Sequence, residues 1–66
     1  MQFIKTLSNK IINKSKIDEI SILDYNNTQY VVILSYCDYN CHENLFIGSQ
    51  EECVAFINVL NEDLNK

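Results

Sequence analysis

Tyr30-Val31-Val32-Ile33-Leu34-Ser35-Tyr36-Cys37 is the segment that most restricts what this chain can fold into. It is rich in β-branched and aromatic residues and apolar at both alternating sets of positions, the pattern of a central strand covered on two sides. Tyr30 and Tyr36 share a face with Val32 and Leu34, whereas Val31, Ile33 and Cys37 occupy the other. The whole chain is 66 residues, enough for one core, and a domain of that size buries only about 60% of its unfolded surface. A single domain spanning 1–66 is therefore expected, with two apolar faces to cover and little chain to cover them.

One cover is plain. Ser49 followed three residues later by Glu52 is a capping box, and Glu51 and Glu52 suit a helix N-terminus. Beyond it Cys53, Phe56, Ile57, Leu60 and Leu64 recur at helical spacing, predicting an amphipathic helix over 50–64. Ala55 and Val59 fall beside that stripe and widen its apolar surface. Strands are expected over 19–25, 29–37 and 44–48, with Asn26-Asn27 as a hairpin turn because asparagine tolerates positive φ, and Gly48 ending the last strand. In the first 17 residues Phe3, Leu7 and Ile11 have helical spacing, but Ser8-Asn9 and the stretch 13–15 are turn-like. Two short strands, 2–7 and 10–14, are the expectation, extending the sheet. The fold class is α+β: an antiparallel meandering sheet of four to five short strands packed by one C-terminal helix.

Phe3-Ile4-Lys5, Lys10-Ile11-Ile12-Asn13, the segment 17–22, the long hydrophobic strand and Gly48-Ser49-Gln50-Glu51-Glu52-Cys53 together resemble a loose group of small bacterial and phage proteins. In that group a meandering sheet, similar to pleckstrin-homology domains, ends in one helix. The resemblance implies the fold and carries over no catalytic or ligand residues.

Composition narrows function by exclusion. Ile, Leu, Val and Phe supply 22 of the 66 residues, well above disordered chains, so the chain should fold. Its longest apolar run has five residues and its beginning has no signal-peptide pattern, which predicts a cytoplasmic protein with no membrane partner. Nine acids against five lysines, with no arginine, argue against duplex nucleic acid. Lys5, Lys10, Lys14 and Lys16 precede the first carboxylate, so the N-terminal segment is basic and the remainder strongly acidic.

Chemistry-bearing clusters are few. Cys37, Cys41 and His42, with Cys53 in the helix, carry zinc-ligand chemistry in a C-x3-C-H spacing. Adjacent Cys41 and His42 diverge in an extended segment and Cys53 suits the helix core, so no metal and no cofactor are expected. His42 beside Cys41 is the one arrangement that suggests a Cys/His nucleophile, but sequence neighbours need not touch, and there is no glycine-rich loop or Ser/His/Asp spacing. The expectation is a non-enzyme with three small apolar thiols and a solvated His42 in a loop.

What remains is contact. Tyr30, Tyr36, Ala55 and Val59 are the candidate interface residues, tyrosine bringing large area at low entropic cost. One helix covers one strand face; either the first strands close over the second, as in a small barrel, or another chain does. The expected function is stoichiometric protein binding, such as a phage-type inhibitor of a host defence protein, with a tight two-fold homodimer as the simplest assembly. The alternative is a homo-oligomeric small-ligand binder that sequesters a nucleotide signal with Lys5, Lys10, Lys14 and Lys16.

Overall fold

The computed structural model describes residues 2–65. Strands β1 (Phe3–Lys5) and β2 (Ile11–Asn13) form a two-stranded antiparallel sheet. A short 3-10 turn, Lys14–Lys16, leads into β3 (Ile17–Asp24), β4 (Tyr30–Tyr36) and β5 (Cys41–Gly48), a three-stranded antiparallel meander with β4 in the centre. Helix α1 (Gln50–Leu64) follows. The α+β class, the antiparallel meander and the single C-terminal helix agree with the sequence reading.

The core is built on one face of β4. Val32 and Leu34 are fully buried there, and Ile4, Ile12, Leu45, Cys53 and Leu60 complete the cluster. Helix residues Phe56, Ile57 and Leu64, strand residues Ile17, Ile20 and Ile22, and Tyr30, Tyr36 and Phe46 pack around it. Fixing a marginal core of this kind rests on apolar area withdrawn from water, at roughly 25 cal/mol per Å2. In β5, Val32 pairs with Phe46 and Ile33 with Asn44, so Leu45 is the extra residue of a bulge. The bulge lets two consecutive residues serve the core: Leu45 enters it, and Phe46 stacks on Phe56 with ring centroids 5.0 Å apart.

The helix begins as its capping box dictates. The Glu52 N–H donates to Ser49 Oγ (3.2 Å), and the Ser49 N–H donates to Glu52 Oε1 (2.9 Å). Gly48 is needed for space rather than for φ: a Cβ there would meet the Phe46 ring at 2.9 Å and Glu52 Oε1 at 3.0 Å. At the other end, Lys14 Nζ donates to the Leu64 carbonyl, bringing a cation to a helix terminus whose own last turn has no basic residue.

Four expectations need correction. The first two strands do not extend the sheet; they are shorter than 2–7 and 10–14 and form their own sheet on the helix side, where Ile4 and Ile12 join the core. They do not close over the second face of β4. Thr6 explains the short strands: its backbone N–H donates to the Lys10 carbonyl (2.8 Å) and its Oγ1 accepts the Lys10 N–H (3.1 Å), closing a loop in which Asn9 has φ 67°. The β3–β4 turn works through a side chain rather than through positive φ, Asn26 Oδ1 accepting the N–H groups of Thr28 and Gln29 at 3.0 and 2.9 Å. Finally, β3 begins at Ile17 and β5 at Cys41, so His42 lies on a strand and not in a loop.

Candidate binding surfaces

The two faces of the meander carry different chemistry. Cross-strand register places three rows on the face turned away from α1: Leu23, Val31 and Ile47; Ser21, Ile33 and Asn44; Glu19, Ser35 and His42. In the last row Ser35 Oγ and His42 Nδ1 are hydrogen-bonded at 3.0 Å. Glu19, Ser21, Leu23, Ile33, Ser35, His42 and the tip residue Tyr39 line a trough of about 450 Å3 on this face, to which neither α1 nor the β1–β2 sheet contributes a described lining residue. Leu23 and Tyr39 are more than half exposed, at 53% and 57%.

The β4–β5 tip is unusual. Cys37, Asp38 and Tyr39 are consecutive left-handed residues, with φ of 56°, 56° and 68°, none of them glycine. Two hydrogen bonds hold them: Asn40 N–H to the Cys37 carbonyl (3.1 Å) and Tyr39 N–H to Asp18 Oδ2 (2.9 Å). Asp18 is available for this because it is the unpaired residue of a bulge, Ile17 pairing with Tyr36 and Glu19 with Ser35. Aspartate tolerates left-handed backbone, but nothing in residue type marks Cys37 or Tyr39 for it.

A second surface lies where the β1–β2 sheet meets α1. Phe3, Ile4, Lys5, Phe56, Val59, Leu60 and Asp63 line an apolar groove of about 220 Å3, in which Phe3 is 54% and Val59 60% exposed. A third, more polar cleft of about 530 Å3 runs beneath the tip and is lined by Ile11, Ile12, Asn13, Ser15, Lys16, Asp18, Tyr36, Cys37 and Asp38.

The structure separates the four candidate interface residues. Ala55 and Val59 lie exposed on α1, Val59 in the apolar groove. Tyr30 and Tyr36 are half-buried and pack against the core on the helix side. The four lysines likewise have different surroundings. Lys5 lines the apolar groove, and Lys14 is at the helix C-terminus. Lys10 Nζ is 3.0 Å from Glu43 Oε2, while Ser8 Oγ donates to the other carboxylate oxygen at 2.8 Å. The Ser8 hydroxyl and then Lys10 hold the Glu43 carboxyl below its usual range, and Glu43 in turn raises the Lys10 ammonium. Among the described residues Lys16 is the only lysine lining the tip cleft, beside Asp18 and Asp38, a balance unsuited to concentrating an anion.

Cys37 is exposed, Cys41 half-buried and Cys53 fully buried, its thiol facing the Gly48 carbonyl at 3.9 Å. A hydrogen bond with the Cys41 thiol, and then burial, push the Cys37 thiol above the ordinary range, the opposite of what an activated nucleophile needs. Among the described residues no three or more His, Cys, Asp or Glu side chains are grouped to hold a metal ion, and no helix is long and apolar enough to cross a membrane. Sequence reasoning missed Glu19, Ser21, Leu23, Asn44 and His42 as members of one surface; period-two alternation outward from Ile33 was the signal that would have found them. No protein-family model, curated protein or solved structure matches the chain.

Proposed function

We propose that this chain is a small non-catalytic binding protein that acts in the cytoplasm by stoichiometric contact with another protein, in the manner of a phage-type inhibitor of a host defence protein. The apolar groove between β1 and α1 carries the reading. Two large apolar side chains, Phe3 and Val59, stand more than half exposed beside it, and Lys5 and Asp63 add charge to an otherwise apolar lining. An apolar centre with a polar rim is the composition of a protein-binding site. An anchoring aliphatic or aromatic side chain on an exposed segment of the partner fits a groove of this volume. The nucleotide-sequestering alternative requires lysines that converge, whereas Lys10 is engaged by Glu43 and Lys14 by the helix terminus.

The test is affinity capture with two baits, the parent chain and Val59→Asp, followed by titration of the purified captured protein. A partner that binds the parent one to one and loses at least about tenfold in affinity for Val59→Asp is expected. Equal capture by both baits, or turnover of a small substrate by the purified chain, would overturn the reading.

A further inference from the structure

We propose that a second copy of this chain covers the open face of the β3–β4–β5 sheet, with the two-fold axis running along β4. This surface is separate from the β1–α1 groove, so the inference stands or falls independently of the proposed function.

The pattern of the rows selects both the occupant and the axis. There are two ways to lay a sheet face on its own copy with strands aligned. An axis along the strands places β3 of one copy over β5 of the other and keeps each row over its own counterpart, reversed in order. An axis across the strands turns the rows end for end. The first arrangement sets Leu23, Val31 and Ile47 over Ile47, Val31 and Leu23, an apolar contact throughout. It sets Ser21, Ile33 and Asn44 over Asn44, Ile33 and Ser21, with isoleucine on isoleucine at the axis. It brings Glu19 of each copy over His42 of the other. The second arrangement lays the Leu23 row on the Glu19 row, burying a carboxylate against leucine and valine. The face is self-complementary about one axis only.

His42 is prepared for such a contact. With Ser35 Oγ at Nδ1, the remaining ring nitrogen, Nε2, is left to face outward. When the Ser35 hydroxyl donates to Nδ1, Nε2 carries the proton and donates to a carboxylate opposite. Ser35 itself is 5% exposed, so its bond to His42 is sheltered by the sheet. Tyr39, more than half exposed at the end of the trough, supplies an aromatic rim at the tip.

Size sets the strength. Strands about 4.8 Å apart and rows about 6.6 Å apart give a face of roughly a few hundred Å2 in plan on each copy, below the roughly 800 Å2 per partner of a standard interface and in the range of weak, transient contacts. The dimer is accordingly reversible, with assembly at micromolar and higher concentration rather than permanent pairing.

Sedimentation equilibrium from about ten micromolar to about one millimolar tests this, with far-UV circular dichroism and melting to confirm that each variant folds. The parent should show a monomer–dimer equilibrium. Leu23→Glu, at an exposed position, should raise the dissociation constant at least about tenfold. Glu19→Lys and His42→Glu should each weaken the dimer. The two combined should return it to within about threefold of the parent, because the introduced lysine of one copy then meets the introduced carboxylate of the other. A chain that stays monomeric at the highest concentration overturns the proposal. So does a dimer indifferent to Leu23→Glu, or a combined variant no better than its singles.

Discussion

The two faces of β4 belong to one strand, made of similar residues, and yet they are buried in different ways. On the face toward α1, Val32 and Leu34 are fully inaccessible because a helix and a second small sheet lie over them. On the other face Val31 and Ser35 are 4% and 5% exposed, although neither belongs to the core cluster beneath the helix. Their shelter comes from the side: Leu23 and Ile47 flank Val31, and Glu19 and His42 flank Ser35. Low exposure on a central strand is thus not the same as being covered. A covered valine contacts side chains above it, whereas a laterally sheltered one leaves its outward direction free to receive another surface.

The most disruptive way to probe this difference is to remove the cover. Leu60 is the most deeply buried leucine of α1 and belongs to the cluster that closes over Val32 and Leu34. Leu60→Ala should cost about 2–5 kcal/mol, enough to unfold much of a marginal 66-residue domain. A thermal melt superimposable on that of the parent would show that the helix holds by some other face.

The sharper experiment compares neighbours of identical chemistry. Val32→Ala removes two methyl groups from beneath the helix and should cost about 2–3 kcal/mol, whereas Val31→Ala empties a site bounded only laterally and should cost about 1 kcal/mol. Chemical denaturation at low protein concentration measures both. Equal losses would break the comparison, since Val31 would then have to be covered as Val32 is. If the gap between them narrows as protein concentration rises, the second copy proposed above supplies the missing cover.

Much of this architecture could be read from the sequence, and the unread part has a common cause. The helix was legible to the residue because Ser49 and Glu52 act within one turn, and β4 was legible because its own side chains define it. Placement of β1 and β2 was not, since Ile4 and Ile12 state that the pair must be buried but not on which side of the sheet. For the same reason Tyr30 and Tyr36 stood out as interface residues. Alternation divides β4 into two faces, and only the tertiary packing of Phe46, Phe56 and Leu60 decides which face receives the helix. The start of β5 was obscured by Cys41-His42-Glu43, whose polarity reads as loop; in the fold His42 faces outward and Glu43 is held by Ser8 and Lys10. Local rules found what is locally determined, and the open face was invisible because its members come from three strands.

A smaller effect isolates the helix end of the cover. Ser49→Ala deletes the oxygen that accepts the Glu52 N–H, while the backbone N–H of residue 49 still donates to the Glu52 carboxylate. The expected loss is about 1 kcal/mol, with amide exchange accelerating in the first turn of α1 before it does in β4. Uniform acceleration across both elements would mean that helix and sheet open as one unit, and that cover and covered strand cannot be separated energetically.

The gentlest perturbation is acid, and its direction follows from two carboxylates that fasten the covering layer. Backbone and side-chain hydrogen bonds with Ser49 lower the Glu52 pKa, and the Ser8 hydroxyl followed by Lys10 lowers that of Glu43. A carboxyl whose folded pKa lies below its unfolded value contributes stability that is complete above the unfolded value, about 4.3, and is lost as pH falls through the folded one. Stability should therefore be flat near neutrality and decline below about pH 4.3, by a small amount because Glu52 is exposed and the Lys10 partner of the half-buried Glu43 stands in solvent. Glu52→Gln and Glu43→Gln should each flatten that decline in a series of melts from neutral pH downward. Glu52 fastens α1 and Glu43 fastens the loop between β1 and β2, so amide protection should be lost first in those elements and last in β4. An acid transition that begins in the meander instead would place the weaker half of the molecule on the open side of the sheet.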